Sequence, residues 1–199
     1  MKKILLATAA CAMLAASPTF AAEGDFYVKA NVGWSKLNKI GPLKSKNDAF
    51  AGLAVGYSVM DNVRVDLSYD HFFDPQFKGT IKADQKSVKN KLDIDSLLLN
   101  AYVDLFDVSI TKVFVGAGVG TSRLAAKINK TNLITNTSDT TKIKAQNKFA
   151  YALYVGASAE VAPSVFAEIT YSFRDFDKIK GTDKRIQGHH VAAGVRFEI

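Results

Sequence analysis

The chain has 199 residues, and 48% of them are apolar. Its formal net charge is +7, with 26 basic and 19 acidic residues, and its only cysteine is Cys11. One domain accounts for this length, and a single cysteine excludes both an internal disulfide and a zinc site made of several thiolates.

The first 21 residues have the three parts of a secretory signal peptide. Lys2 and Lys3 provide a positive start, residues 4–16 form an apolar run, and Thr19-Phe20-Ala21 matches a small-x-small cleavage site. A helix that spans a bilayer needs about 20 apolar residues, so an anchor helix is the weaker interpretation. We therefore predict that residues 1–21 are a signal peptide and that residues 22–199 form one exported domain without cysteine.

Eight segments of the exported part alternate between apolar and polar residues with a period of two. This is the pattern of strands that have one apolar face. In chain order the segments are residues 26–34, 49–59, 63–70, 96–104, 113–120, 149–160, 167–174 and 190–199. Each has about the length that a tilted strand needs to cross a bilayer.

The connections between these segments alternate between short and long. Residues 60–62, 106–111 and 162–164 make short turns, whereas residues 38–47, 74–92, 123–147 and 175–188 make long loops. Short turns at one end and long loops at the other are typical of outer-membrane barrels. We predict an all-β fold: an eight-stranded antiparallel transmembrane up-and-down barrel with periplasmic turns, extracellular loops and both termini in the periplasm.

Alternation alone does not tell which face meets lipid, because a soluble ligand-carrying barrel has the same period. The cations distinguish the two folds: 15 of the 21 lysines fall in the four long loops, while three of the five arginines lie on the polar strand face. Arginine suits fixed ion pairs in a confined space. We predict a lumen network made of Arg64, Asp66, Asp70, Asp104, Glu160, Glu168, Arg174, Arg196 and Glu198.

The aromatic residues also favour a membrane protein. They lie on the apolar face, many of them near strand ends, as in interfacial girdles. The set comprises Trp34, Tyr57, Tyr69, Tyr151, Tyr171, Phe173 and Phe197.

Several stretches resemble the opacity-protein-like outer-membrane barrels, and among these the rickettsial surface adhesins. They are YSVMDNVRVDL at residues 57–67, SLLLNAYVD at 96–104, KVFVGAGVG at 112–120, YSFRD at 171–175 and GHHVAAGVRF at 188–197. The resemblance implies an eight-stranded barrel that promotes attachment to host cells, with vitronectin as a ligand described for the group. Many such barrels end in Phe, whereas here Phe197 stands two residues before the final Ile199.

The sequence offers little for catalysis. The three histidines, His71, His189 and His190, lack a Ser two positions on, and neighbours in a strand such as Asp70 and His71 face apart. Gly116, Gly118 and Gly120 alternate along a strand with no helix after them, so we interpret them as space for bulky lumen residues. We expect no enzyme, cofactor or metal, and a lumen filled by side chains conducts no ions.

The loops carry the main functional signal because they are rich in lysine. The candidate partner-binding residues are Lys78, Lys82, Lys86, Lys89, Lys91, Arg123, Lys127, Lys130, Lys142 and Lys144. Such a charge steers acidic partners to the outer rim, and the loop of residues 123–147 is expected to be mobile. Scarce loop aromatics disfavour nucleic acid.

The first functional hypothesis is a monomeric adhesin and virulence factor in the outer membrane that presents these loops to host surface or matrix proteins. Host acidic glycoproteins, sulfated glycans and the protein's own lipopolysaccharide all match the charge. The alternative is a structural outer-membrane protein whose loops contact lipopolysaccharide, and the third is a lipid-modifying enzyme that uses His71 or His190.

Overall fold

The computed structural model describes residues 25–38, 44–45, 47–73, 75–81, 86–108, 110–132, 138–178 and 185–199. The predicted signal peptide lies outside these ranges and stays a prediction. Within them no helix is long and apolar enough to span a membrane.

The described part of the chain is built almost entirely from ten strands. They are β1 (Phe26–Leu37), β2 (Lys44–Ser45), β3 (Asp48–Met60), β4 (Val63–Phe72), β5 (Gln76–Ile81), β6 (Lys86–Val108), β7 (Thr111–Asn132), β8 (Ser138–Ala162), β9 (Val165–Lys178) and β10 (Arg185–Glu198).

Eight of these strands close into a cylinder. Its order is β1, β3, β4, β6, β7, β8, β9 and β10, and β10 pairs with β1 again. Every pairing around the barrel is antiparallel. The predicted eight-stranded antiparallel barrel is therefore confirmed, with β2 and β5 as two short additional strands in the long loops.

The outward face of the barrel is apolar, whereas its interior holds charged and polar side chains together with aromatic ones. In β4, for example, Arg64, Asp66 and Asp70 are buried, whereas Leu67 and Tyr69 between them are exposed. The same inversion recurs on the other strands, where Trp34 and Ile169 are about two thirds exposed, at 70% and 65%. This arrangement excludes a soluble barrel with an apolar interior and fits a surface that contacts hydrocarbon.

Tight turns join the strands at one end of the barrel, which we call the turn end. Two of them are centred on residues 61–62 and 163–164, and Ser164 there has a left-handed φ of 61°. Irregular register next to these turns, between Ser58 and Met60 and between Glu160 and Ala162, adds local twist to the strands. The opposite end carries the long connections and is called the loop end.

The assignment of residues 74–92 and 123–147 to loops was largely wrong. β6, β7 and β8 continue beyond the barrel as paired strands, and β5 and β2 add to them. Of residues 74–92 and 123–147, the structure leaves undescribed residues 74, 82–85 and 133–137. Strands of 22 to 25 residues are far longer than the roughly 10 residues needed to cross a bilayer. We call residues 86–95, 123–132 and 138–147, together with β2 and β5, the strand extension.

Candidate functional site

Glu168 on β9 holds three cations in the half of the lumen near the turn end. Its carboxylate lies 3.1 Å from Lys29 Nζ on β1, 3.1 Å from Arg64 Nη1 on β4 and 2.9 Å from Arg196 Nε on β10. All four side chains are buried. Since a buried charge is tolerated only when it is paired, this cluster ties four strands together across the lumen.

Further carboxylates complete this network. Arg64 Nη2 lies 3.0 Å from Asp104 Oδ1, and Arg196 also pairs with Glu198. Asp66 accepts hydrogen bonds from Asn100 Nδ2 at 2.6 Å and from the Tyr27 hydroxyl at 3.2 Å.

A second ion pair lies nearer the loop end. Arg174 Nη1 is 2.7 Å from Asp70 Oδ2, and the guanidinium carbon lies 5.5 Å from the ring centre of Phe50 and 5.7 Å from that of Phe72. Both charges are buried. The aromatic faces thus surround a cation whose charge Asp70 balances.

An apolar plug fills the lumen above this pair. Phe72 stacks on Phe50 at 5.2 Å between ring centres and contacts Phe176 at 5.4 Å, and the His190 ring lies 5.4 Å from Phe72. Buried aliphatic residues join these rings in one cluster: Leu37, Leu92, Ile94, Leu98, Leu124 and Ile186. The lumen is therefore closed by side chains rather than open as a pore.

The structure brings together all of the predicted lumen residues except one. Glu160 departs from the prediction because it lies exposed beside the turn after β8, beyond the filled part of the lumen. Lys29, Tyr27, Asn100 and Tyr154 were missing from the predicted network, although Tyr154 donates a 3.0 Å hydrogen bond to Asn100 Oδ1. These four residues occupy polar-face positions of their strands, as the predicted residues do. That alternation could have assigned them to the lumen from the sequence.

Two of the three glycines on β7 leave room for lumen side chains, as interpreted from the sequence. A Cβ on Gly116 would meet the Tyr102 ring, and one on Gly118 would meet the Asn100 amide. At Gly120 a Cβ would overlap backbone atoms of β6 instead, namely the Leu97 carbonyl oxygen.

A polar cluster lies on the outward face where β4 and β6 leave the barrel. Asp95 Oδ1 accepts a 2.8 Å hydrogen bond from the Tyr69 hydroxyl and lies 2.7 Å from His71 Nδ1. Partial burial raises the pKa of Asp95, but these hydrogen bonds outweigh it and the pKa is lowered overall. His71, Asp93 and Asp95 offer ligand atoms within 4.8 Å of one another, a grouping that was not predicted from the sequence. The contacts of Asp95 with Tyr69 and His71 explain its position without a metal ion, as part of an interfacial cluster.

The last long connection is anchored by Asp175. Its carboxylate accepts hydrogen bonds from Arg185 Nε at 2.8 Å, from Gln187 Nε2 at 2.7 Å and from the Asp177 backbone N–H at 2.8 Å. Burial raises the pKa of Asp175, yet these donors outweigh it and lower the pKa. The start of β10 is thereby held against the end of β9.

The candidate partner-binding residues belong mostly to the strand extension. Lys91, Arg123 and Lys144 are exposed. Lys78, Lys86, Lys89, Lys127, Lys130 and Lys142 occupy strand positions, and Lys82 lies outside the described residues.

The strand register aligns several of these residues. Lys91 on β6 is directly opposite Lys127 on β7, which is directly opposite Lys142 on β8. A second row contains Lys44 on β2, Lys78 on β5 and Lys89 on β6. Directly paired positions have the same parity in a sheet, and so do positions two residues apart, so these six lysine positions form two adjacent rows of the register. We call this set of register positions the basic face.

The chain matches the family described as outer membrane protein beta-barrel domain over residues 6–197. A Rickettsia conorii protein is 36% identical over 249 aligned residues, with 100% of both chains covered. A Rickettsia prowazekii protein is 32% identical, also with 100% of both chains covered. Each of the two bears the name "Putative adhesin".

Solved structures share the barrel at low identity. Neisserial surface protein A gives a TM-score of 0.59 at 20% identity and covers 89% of this chain and 100% of its own. OprG of Pseudomonas aeruginosa gives 0.56 at 15% identity, with 88% and 96% covered. Ail, the attachment invasion locus protein of Yersinia pestis, gives 0.53 at 13% identity, with 89% and 100% covered. These likenesses show the fold.

Proposed function

The chain belongs to the outer membrane protein beta-barrel family, and from this membership we propose that it attaches the bacterium to host cells. The barrel lies in the outer membrane, and relatives that match it over their full length bear the adhesin name. The proposed partner is a host surface or extracellular-matrix protein, with a vitronectin-like ligand as the expectation from the family resemblance. We propose that the barrel acts as a monomer and as a virulence factor.

The basic face is the observation that carries this proposal. It lies on strands that rise beyond the membrane-spanning part of the barrel, so it is presented away from the bilayer. Exposed charge of one sign speeds the encounter with partners of the opposite sign. A rigid barrel closed by the plug leaves this extension as the part of the molecule suited to recognition.

The test is attachment of a non-adherent bacterium that displays the full chain. Changing Lys91, Lys127 and Lys142 to Glu is expected to lower attachment to host cells by about tenfold or more, because it reverses the charge that steers partners. A matched variant with Arg at the same three positions keeps the charge and is expected to keep attachment. Equal attachment by the Glu variant and the unmodified chain would contradict the proposal.

A structural role is the second candidate, in which the extension contacts lipopolysaccharide. The basic face favours it because Lys91 follows on the same face as the lipid-facing residues of β6, such as Leu97 and Leu99. A deletion strain with a leaky outer membrane and normal attachment would support this candidate.

No enzymatic role is proposed. His71 and His189 are engaged with Asp95 and Tyr171, at 2.7 Å and 2.6 Å, and His190 is buried among aromatic rings. Their contacts place all three histidines in interfacial or core packing.

A further inference from the structure

A pair of polar side chains lies on the outward face of the barrel, where β1 and β10 approach the loop end. Lys36 on β1 is directly opposite His189 on β10, and both side chains are exposed. They have the parity of Trp34 and Val191, which are exposed on the apolar outer surface. Lys36 and His189 therefore project from the wall of the barrel and not into its lumen.

The two side chains are close enough to contact one ligand. Directly opposite residues of an antiparallel pair have Cβ atoms about 4.5–5.5 Å apart. Tyr171 orients the His189 ring, since its hydroxyl oxygen is 2.6 Å from Nδ1. When this hydroxyl donates to Nδ1, the other ring nitrogen, Nε2, carries the proton and becomes a donor. The Lys36 ammonium group and His189 Nε2 thus form a pair of donors for an anion.

The height of this pair matches the lipid headgroups. The outward residues of β1 are apolar from Phe26 to Trp34, which spans about 27 Å along the strand and about 20 Å along the membrane normal at the usual tilt. The apolar band of such barrels is about 25 Å tall, so Trp34 lies near its outer edge. Lys36 is two residues further on and about 5 Å higher, within a headgroup layer that is about 5–8 Å thick.

Two acidic residues lie close to the pair in the strand register, and neither balances its charge. Asp175 is bound through both carboxylate oxygens by Arg185, at 2.8 Å and 3.0 Å. Asp48 is paired with Ser35, a buried residue of the lumen face, and so has the parity of the opposite face. Lys36 therefore keeps an unbalanced positive charge on the outward face.

The polar cluster on β4 and β6 differs from this pair because it contains its own acids. Arg123 on β7 is directly opposite Asp95, and Asp93 has the same parity on the same strand as Asp95. Within the part of the chain that the structure describes, no acidic partner is found for Lys36. Of the two outward-facing groups, the one at Lys36 is thus the one suited to an anion.

The surroundings of the pair are those of a lipid and not of a soluble anion. Trp34, Val191 and Tyr171 form the register row on the side of the membrane core, and all three are exposed. Aromatic rings at the edge of the apolar band contact acyl chains, while a lysine beyond them extends to the headgroup charge. A lipid with a phosphate in its headgroup uses both parts, whereas a soluble anion uses only the outer one.

The loop end of the barrel lies in the outer leaflet of the outer membrane, where the lipid is lipopolysaccharide and carries phosphate groups. We propose that this place binds one lipopolysaccharide molecule, with a phosphate group between Lys36 Nζ and His189 Nε2 and an acyl chain along Trp34. We call Lys36, His189, Tyr171 and Trp34 the Lys36 site. Its occupation goes beyond attachment to host cells and does not depend on it.

Trp34 is the only tryptophan of the chain, so its fluorescence reports on the Lys36 site directly. The test titrates the full chain, refolded in detergent, with purified lipopolysaccharide and follows the emission of Trp34. A saturable change is expected. Dephosphorylated lipopolysaccharide and the phospholipid phosphatidylglycerol are titrated in the same way, and both are expected to bind at least about tenfold more weakly.

Three variants test the roles of the two donors. Lys36→Glu is expected to weaken binding of lipopolysaccharide by about tenfold, because a carboxylate then faces the phosphate. Lys36→Arg keeps the charge and is expected to keep the affinity within about twofold. His189→Phe keeps an aromatic ring but removes the Nε2 donor, and is expected to weaken binding by about threefold.

The matched control is Lys144→Glu, which makes the same change in charge at an exposed residue of the strand extension. Lys144 lies on β8, three strands from β1 around the barrel, or about 14 Å away at the usual strand spacing. Because charges at such distances are screened by salt, the affinity is expected to change by less than about twofold.

Circular dichroism and the heat-dependent electrophoretic mobility of the barrel establish that each variant folds. Equal losses in Lys36→Glu and Lys144→Glu would overturn the proposal. Dephosphorylated lipopolysaccharide or phosphatidylglycerol that binds as tightly as intact lipopolysaccharide would also overturn it. If Lys36→Glu fails to fold, His189→Phe decides, and an unchanged affinity of that variant would overturn the site.

Discussion

Glu168 is the residue on which the charges of the lumen converge. It is buried, and its two oxygens serve Lys29, Arg64 and Arg196 from three other strands. An ion cluster of this kind stabilises little compared with an apolar core, but it is strongly destabilising once one partner is removed.

We predict that Glu168→Gln destabilises the barrel by about 3–5 kcal/mol, because three buried cations lose their shared anion. Urea unfolding of the variant in lipid bilayers measures this change. Glu160→Gln is the matched control: Glu160 is exposed, and its change is expected to be within about 0.5 kcal/mol. Similar unfolding midpoints for the two variants would contradict the role given to Glu168.

The composition of the lumen could be predicted from the sequence because strand parity is a local property. Arg64, Asp66 and Arg174 could each be assigned to the polar face from their neighbours alone. The pairing of Arg174 with Asp70 could not, since it depends on how strands far apart in the chain are arranged around the barrel. Parity assigned Glu160 to the lumen face, yet Glu160 is exposed beside the turn after β8. Parity gives the face of a residue but not the point along the strand at which the filled part of the lumen ends.

At the scale of single elements, β7 packs closely against β6 along its glycines. A Cβ at Gly120 would overlap the carbonyl oxygen of Leu97 and lie 2.9 Å from Leu98 Cα. Both are backbone atoms of a long paired strand, so neither can move aside as a flexible side chain would.

We predict that Gly120→Ala costs about 1–3 kcal/mol of stability through overpacking. Ala117→Val, on the exposed side of the same strand, adds more volume but is expected to be nearly neutral because lipid accommodates it. Thermal unfolding of both variants in the same bilayers tests the contrast. A Gly120→Ala barrel as stable as the unmodified chain would contradict the close approach.

The membrane-spanning strands could be predicted from the sequence, whereas the strand extension could not. In β4 the contrast between Leu67 and Asp66 marks the two faces directly. In the extension lysine, threonine and asparagine dominate, so period-two alternation has little contrast and resembles a polar loop. Pairing with neighbours that are already ordered, such as Lys127 with Lys91, is what makes these residues strands.

At the scale of the whole molecule, the barrel is a closed body with a filled interior. Phe50, Phe72 and Phe176 close the loop end, and the Glu168 cluster fills the lumen towards the turn end. An eight-stranded barrel has an interior just wide enough for its side chains.

We predict that the refolded protein produces no channel steps in planar lipid bilayers. A porin incorporated under the same conditions serves as the positive control. Reproducible steps of a single size would contradict the filled lumen and would require the plug to open.

The pairing of β1 with β10 has a consequence for how the protein is made. Tyr27 lies opposite Glu198 and Leu37 opposite Gly188, so the closing strand pair of the cylinder joins the first and the last strand of the barrel. β1 can pair with β10 only after β10 has been synthesised. Contacts of such long sequence separation also form slowly. Until β1 and β10 pair, both strands have an edge of unpaired backbone N–H and C=O groups, and such groups are energetically costly in the hydrocarbon core of the membrane. We therefore expect insertion of the barrel into the membrane and pairing of β1 with β10 to occur in one concerted step.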